Sequence, residues 1–169
     1  MNYLIEPQKQ VEICARAEVL ILGGGPSGIA AAIASARSGS KTILLERYGF
    51  LGGMGTAAMV TNFCGLHANI NGTVQRIVHG VADDILARLE DLGGLNAPHH
   101  IKGRNGGHDT AAQAYDTAAY KVVADELLKD AGVDIRFHAL AAGVAMKNKS
   151  SIDAVVLETK SGRKAIKAE

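Results

Sequence analysis

The chain of 169 residues contains no tryptophan, three prolines and two cysteines, and aromatic residues make up only 4% of it. Each shortage excludes something. Cys14 and Cys64 are too few for a disulfide framework and neither belongs to a CxxC pair, so packing has to hold the fold, as in a reducing compartment. No apolar run approaches the roughly 18 residues that a membrane span needs. Glu6, Gln8, Lys9 and Glu12 stand where a signal peptide would carry its apolar stretch. A cytoplasmic protein with no membrane contact is expected. Charge of one sign is lacking too: 18 Lys and Arg against 17 Asp and Glu leave a formal net charge of +1, with no basic block suited to nucleic acid.

What remains is a sequence that is 47% hydrophobic and holds 20 glycines, which points to a closely packed interior of small residues. The clearest pattern runs from residue 18 to residue 46. Val19, Leu20, Ile21 and Leu22 are consecutive and apolar, as in a parallel strand covered on both faces. Pro26 suits the first turn of a helix, where its missing N–H costs nothing, and Ile29 to Ala36 are good helix formers. Ser38, Gly39 and Ser40 end it, and residues 42–46 (TILLE) form a second apolar run. This is a strand, helix, strand unit with the length of a right-handed crossover.

The rest reads less uniformly. Residues 1–17 show no period and are expected to be a lead-in lying on the domain. Val74, Ile77, Val78, Val81, Ile85, Leu89 and Leu92 share one helical face, which predicts a helix over 74–92. Residues 95–115 are aperiodic and predict a long loop. Asp116 or Thr117 would cap a helix whose stripe is Tyr120, Val123, Ala124, Leu127 and Leu128. Strands are expected at 133–137, 139–146, 152–159 and 164–168, with KNKSS as the turn between the second and third.

Gly23, Gly25 and Gly28 fit G-x-G-x-x-G between the first strand and the helix. The first glycine permits a sharp exit from the strand, the second lets a ligand approach the backbone, and the third lets helix and strand pack closely. The helix N-terminus beyond carries unpaired N–H groups and a partial charge of about +0.5, which favours a pyrophosphate. Glu46 ends the second strand, where a carboxylate accepts hydrogen bonds from an adenosine ribose and repels a 2′-phosphate. An adenine dinucleotide is therefore expected and NADP disfavoured. The next strand is predicted only at Val133, a layout that favours FAD over a simple NAD domain.

The string EVLILGGGPSGIAAAIASARSGSKTILLERYGFLGGMGTAAMV resembles the N-terminus of the FAD-dependent oxidoreductase family, part of the glutathione-reductase-like flavoprotein superfamily. The likeness returns in YDTAAYKVVADELLKDAGVDIRFHALAAGV. It implies an α/β fold: a Rossmann-like FAD-binding domain with a parallel sheet and a small antiparallel β-meander. It also implies site residues. Gly23, Gly25, Pro26, Ser27 and Gly28 would wrap the FAD pyrophosphate, Glu46 would hold the adenosine ribose, and Arg47 would flank it near the adenine or phosphates. Gly52, Gly53 and Met54 would run along the pyrophosphate and ribityl chain toward the flavin, and Ala141 would meet adenine through its backbone.

In that family a further parallel strand, a Gly-Asp turn and a substrate domain follow the meander. This sequence stops at Glu169, so the resemblance implies a C-terminally incomplete FAD-binding domain over 18–169 with an open sheet edge, which a second copy or a partner chain could cover. The function expected is the FAD-binding part of an oxidoreductase that passes hydride or electrons to or from an unidentified small molecule. An NAD-binding dehydrogenase domain and a non-catalytic dinucleotide-binding or assembly module stay open as alternatives. No catalytic residue is assigned. Cys64 and His67 in NFCGLHANI would face the flavin as a redox thiol and a proton donor, or simply pack as a small core residue and a surface imidazole. His99, His100 and His108 with Asp109 lack the i, i+4 spacing of a helical metal motif, and no metal is expected. Ser27 is outside any G-x-S-x-G arrangement and is no hydrolase nucleophile.

Overall fold

A computed structural model describes residues 2–4, 9–103 and 109–168. In chain order the elements are β1 (Glu12–Ala17), β2 (Val19–Leu22), α1 (Pro26–Arg37), β3 (Thr42–Leu45), a 3-10 turn at Gly53–Gly55, β4 (Asn62–Phe63), β5 (His67–Ile70), β6 (Thr73–Arg76), α2 (Val81–Asp91), β7 (His99–Ile101), β8 (Thr110–Ala114), α3 (Thr117–Asp130), β9 (Asp134–Arg136), β10 (Ala139–Asn148), β11 (Ser151–Thr159) and β12 (Gly162–Ala168).

The three layers follow from the alternation of side chains along β3. This strand is the middle of a parallel sheet of order β2-β3-β9 and is buried over its whole length. Leu44 points to one side, into a core made with Ile29 and Ile33 of α1, Leu89 of α2 and Val123, Leu127 and Leu128 of α3. Ile43 and Leu45 point to the other, against Ala17, Val155, Leu157 and Ile166 of a second sheet. Each of these leucine, isoleucine and valine side chains contributes about 1.5–3 kcal/mol on burial. The second sheet is the meander, order β1-β12-β11-β10, and its strands pair antiparallel except for β1 with β12. The fold is thus the α/β arrangement expected, with helices on one face of the parallel sheet and the meander on the other.

Three expectations are corrected. The lead-in contains a strand: β1 lies parallel to β12, one residue upstream of β2, and the chain crosses from one sheet to the other at Glu18. Residues 5–8 lie outside those described. The helix expected over 74–92 is shorter, because Thr73–Arg76 pairs with His67–Ile70 in a hairpin. Asn71 (φ 51°) and Gly72 (φ 85°) are both left-handed, the two-residue turn that suits strand twist. Ile77, Val78 and Leu92 are accordingly exposed and do not join the buried face of Ile85, Leu86 and Leu89. The loop expected over 95–115 carries β7 and β8, paired antiparallel, and a bridge from Leu95 to Tyr115.

β2 is an edge of its sheet. The N–H groups of Val19 and Gly23 donate inward to Lys41 and Leu45, so by alternation those of Leu20 and Leu22 face outward. Among the described residues no helix is long and apolar enough to cross a membrane.

Candidate functional site

The turn from β2 into α1 separates glycines that the fold demands from one that it does not. Gly23 sits at φ +101° and donates its N–H to the Leu45 carbonyl at 2.8 Å. A Cβ on Gly28 would lie 1.9 Å from the Gly23 oxygen, and one on Gly24 would lie 2.3 Å from Leu51 Cδ2. The main chain of the turn therefore fixes Gly28 as glycine, and the buried Leu51 side chain of the loop after β3 crowds Gly24. Gly25 has ordinary backbone angles (φ −74°, ψ 178°), and a Cβ there meets nothing closer than Gly53 Cα at 4.0 Å. A side chain there would make only an ordinary contact. Gly25 is also the N-cap of α1, with no side-chain cap, Pro26 following it and no acid in the first turn. The first-turn N–H groups are left to an anionic ligand, so the residues present fit a pyrophosphate.

Glu46, 5% exposed, closes the base of this turn. Its Oε2 accepts from the Gly24 N–H at 2.8 Å and its Oε1 from the Tyr48 N–H at 2.8 Å. The carboxylate thus ties together the two loops that follow β2 and β3. Each oxygen keeps a second lone pair, so a ribose hydroxyl remains within its capacity.

Gly52 and Gly53 return to the same place. The Gly52 N–H donates to the Gly24 carbonyl at 2.8 Å, and Gly53 lies so near Gly25 that a Cβ on it would come within 2.8 Å of Gly25 Cα. Gly52 (φ +104°) also faces Thr56, whose hydroxyl donates to the Leu51 carbonyl at 2.6 Å. Below this segment is an aromatic platform: Phe63 stacks on Tyr115 at 4.1 Å between centroids, and Tyr120 meets Tyr115 edge-on at 5.3 Å. The single proton of the Tyr115 hydroxyl is shared between the Val60 and Gly55 carbonyls, at 2.5 and 3.1 Å. Burial, and then the neighbouring Cys64, raise its phenol above the ordinary value. The Tyr120 hydroxyl is buried without a partner, and burial followed by Tyr115 pushes its pKa up to about 12.

A cavity of about 180 Å³ opens beside the turn, lined by Leu22, Gly23, Leu45, Arg47, Ala139, Leu140 and Ala141. The structure so brings Gly23, Arg47 and Ala141 to one hollow, from three separate parts of the chain. Met54 is 62% exposed and Ser27 is exposed at the start of α1. Cys64 and His67 do not line that cavity; Cys64 is an exposed free thiol, and His67 Nδ1 is buried without a partner. His108 lies outside the described residues, and among those described no cluster of metal-ligating side chains occurs. Sequence reasoning gave no site role to Gly24, Thr56, Tyr115 or Tyr120, the last of which it placed only in a helix stripe. Gly24 alone could have been found, since it stands inside the glycine motif.

A sharp glycine turn on a parallel strand, an uncapped helix start and a meander on the opposite face make up a Rossmann-like α/β fold. The FAD dependent oxidoreductase family matches residues 18–169, and the chain belongs to that family, whose cofactor is FAD. Similar folds include THI4 of Thermovibrio ammonificans (16% identity, TM-score 0.54, covering 90% of this chain and 55% of that one). A 3-ketosteroid-delta4-(5alpha)-dehydrogenase from Rhodococcus jostii gives 14% identity and a TM-score of 0.60, over 93% of this chain and 45% of that one. A geranylgeranyl bacteriochlorophyll reductase-like protein from Thermoplasma acidophilum gives 18% and 0.55, over 91% and 38%. The chain spans about half or less of the length of these structures. No curated protein sequence matches it.

Proposed function

We propose that this chain is the FAD-binding part of a flavin-dependent oxidoreductase that exchanges hydride or electrons with a small-molecule substrate. The observation that carries the reading is the room at Gly25, where a Cβ would meet nothing nearer than Gly53 Cα at 4.0 Å, while packing fills the positions beside Gly24 and Gly28. In this reading Gly23, Gly25, Pro26, Ser27 and Gly28 hold the pyrophosphate, and Glu46 holds the adenosine ribose. Arg47 and Ala141 bound the adenine end in the cavity beside Gly23, and Gly52, Gly53 and Met54 carry the ligand on toward the flavin. The flavin, when bound, supplies the hydride or electron transfer at its own ring. The residues of this chain place it: the uncapped N–H groups of α1 face the phosphates, and the Glu46 carboxylate keeps both glycine segments in register. A cytoplasmic setting belongs to the same reading and suits the two free thiols.

The test is thermal unfolding with and without FAD, together with release and identification of any chromophore that copurifies. FAD at 100 times its Kd should add about 2.7 kcal/mol of stability. Stabilisation by NADH with none by FAD would move the chain to the NAD-binding alternative. The edge position of β2 supports a second reading, in which the outward N–H and C=O groups of Leu20 and Leu22 pair with a strand of a second copy or of a partner chain. Light scattering after size exclusion decides it: a monomer that acquires no partner ends that reading and leaves the FAD assignment untouched.

A further inference from the structure

Among the described residues, Arg47 is the one charged side chain in the wall of the cavity beside Gly23, and its neighbours restrain it. Its guanidinium carbon lies 4.6 Å from the centroid of the Tyr48 ring, and its Nη2 donates to the Tyr48 hydroxyl at 2.9 Å. The Tyr48 ring stacks on Phe50, with centroids 5.7 Å apart and planes 10° from parallel. Lys121, from α3, places its Nζ 4.1 Å from the centroid of Phe50. The four side chains form a ladder of cation, ring, ring and cation that leads from the helical layer to the cavity mouth.

The backbone beneath this ladder is fastened on both sides. The Tyr48 N–H donates to Glu46 Oε1 at 2.8 Å, and the Tyr48 carbonyl accepts from the His138 N–H at 3.2 Å. A Cβ on Gly49 would lie 3.0 Å from the His138 ring, so the loop lies flat against the start of β10. A free arginine on a surface samples many rotamers, and a ligand that recruits it has to remove that freedom. Here the freedom is already restricted, by an aromatic face and a hydroxyl that belong to the adjacent residue.

We propose that Tyr48 is a positioning residue for nucleotide recognition: it holds the Arg47 guanidinium at the cavity before ligand arrives, with Phe50 packed on its ring and Lys121 on Phe50. The inference rests on the FAD reading and deepens it, since it makes the adenosine diphosphate half of the ligand the part that Arg47 meets.

The test is calorimetric titration of ADP into the full chain in a double-mutant cycle of wild type, Arg47→Ala, Tyr48→Leu and the double variant, with circular dichroism confirming the fold of each. Tyr48→Leu should weaken ADP by about two- to five-fold when Arg47 is present, the scale of an exposed cation–π contact, and leave the affinity unchanged when residue 47 is Ala. Tyr48→Phe, which keeps the stack and loses only the hydroxyl, should recover most of the loss. Lys121→Ala, at the other end of the ladder and far from the turn, should give a smaller loss in the same direction, and it serves as the probe if Tyr48→Leu fails to fold. An equal loss in both Arg47 backgrounds, or no loss in either, overturns the positioning role while leaving FAD binding standing. A wild-type chain that binds neither ADP nor FAD overturns the dinucleotide reading and this inference with it.

Discussion

Gly25 and Gly28 stand three positions apart in one motif, yet the structure assigns them opposite costs. A methyl group at Gly28 would sit 1.9 Å from the Gly23 oxygen and 3.0 Å from its carbonyl carbon, both main-chain atoms that cannot rotate away. Comfortable separations begin near about 3.5 Å, so α1 has to retreat from the turn by roughly 1.5 Å. Overpacking of this kind costs about 1–3 kcal/mol, and a backbone collision belongs at the top of that range. Against a total stability of about 5–15 kcal/mol this is a large fraction. In a domain of this size about 3 kcal/mol lowers Tm by roughly 6–12 °C. A methyl at Gly25 makes only an ordinary contact at 4.0 Å and has unstrained backbone angles, so Gly25→Ala should cost only the loss of a good N-cap residue, below about 1 kcal/mol. Its methyl would stand where the pyrophosphate is proposed to lie, and FAD affinity should fall at least about tenfold, equivalent to ~1.4 kcal/mol. Thermal unfolding followed by circular dichroism, with FAD titration of the same samples, separates the two effects. Gly25→Ala that melts as early as Gly28→Ala, or that keeps wild-type FAD affinity, would refute the reasoning.

Other outcomes follow from single contacts. Glu46→Gln leaves one acceptor for two backbone donors and turns an NH2 toward the other, so urea unfolding should show a loss of about 1–3 kcal/mol. Asp116 Oδ1 accepts from the N–H groups of Ala118 and Ala119 at 2.7 and 2.8 Å, and Asp116→Ala should cost about 1 kcal/mol by the same measurement. Tyr120 has a folded pKa of about 12 against 10.0 for the free phenol, so the neutral form is favoured in the folded state. The stability this gives is complete below pH 10 and is lost as pH rises through about 12. Tyr120→Phe removes the buried, unpartnered hydroxyl, and should leave stability at neutral pH equal or higher and flatten its decline between those limits. A decline as steep as that of wild type would assign the alkaline transition to other groups.

The parts of this fold that are local in sequence could be read from it. The strand, helix and strand from β2 to β3 announce themselves by an apolar run, a glycine turn and an alanine-rich helix, and α3 by its cap and stripe. Elements whose evidence lies far away could not. β1 becomes a strand only because β12, at the other end of the chain, supplies its partner. β6 and the two residues after it imitate a helix through the spacing of Val74, Ile77 and Val78, and only the Asn71–Gly72 pair, a hairpin cue, argues otherwise. At the site, glycine spacing pointed to the turn, but it could not show that Gly24 and Gly28 answer to packing while Gly25 does not. The ladder behind Arg47 joins a loop to α3 in space, and adjacency of Arg47 and Tyr48 in the chain says nothing of Lys121.

The bare margin of β2 also governs how the molecule keeps company in a test tube. Leu20 and Leu22 offer main-chain donors and acceptors to any extended polypeptide, and Leu22 adds a half-exposed apolar side chain beside them. A formal net charge of +1 gives such molecules little electrostatic reason to stay apart. On the reading in which β2 pairs with a second copy, concentrated stocks should associate by backbone pairing along that seam and disperse on dilution.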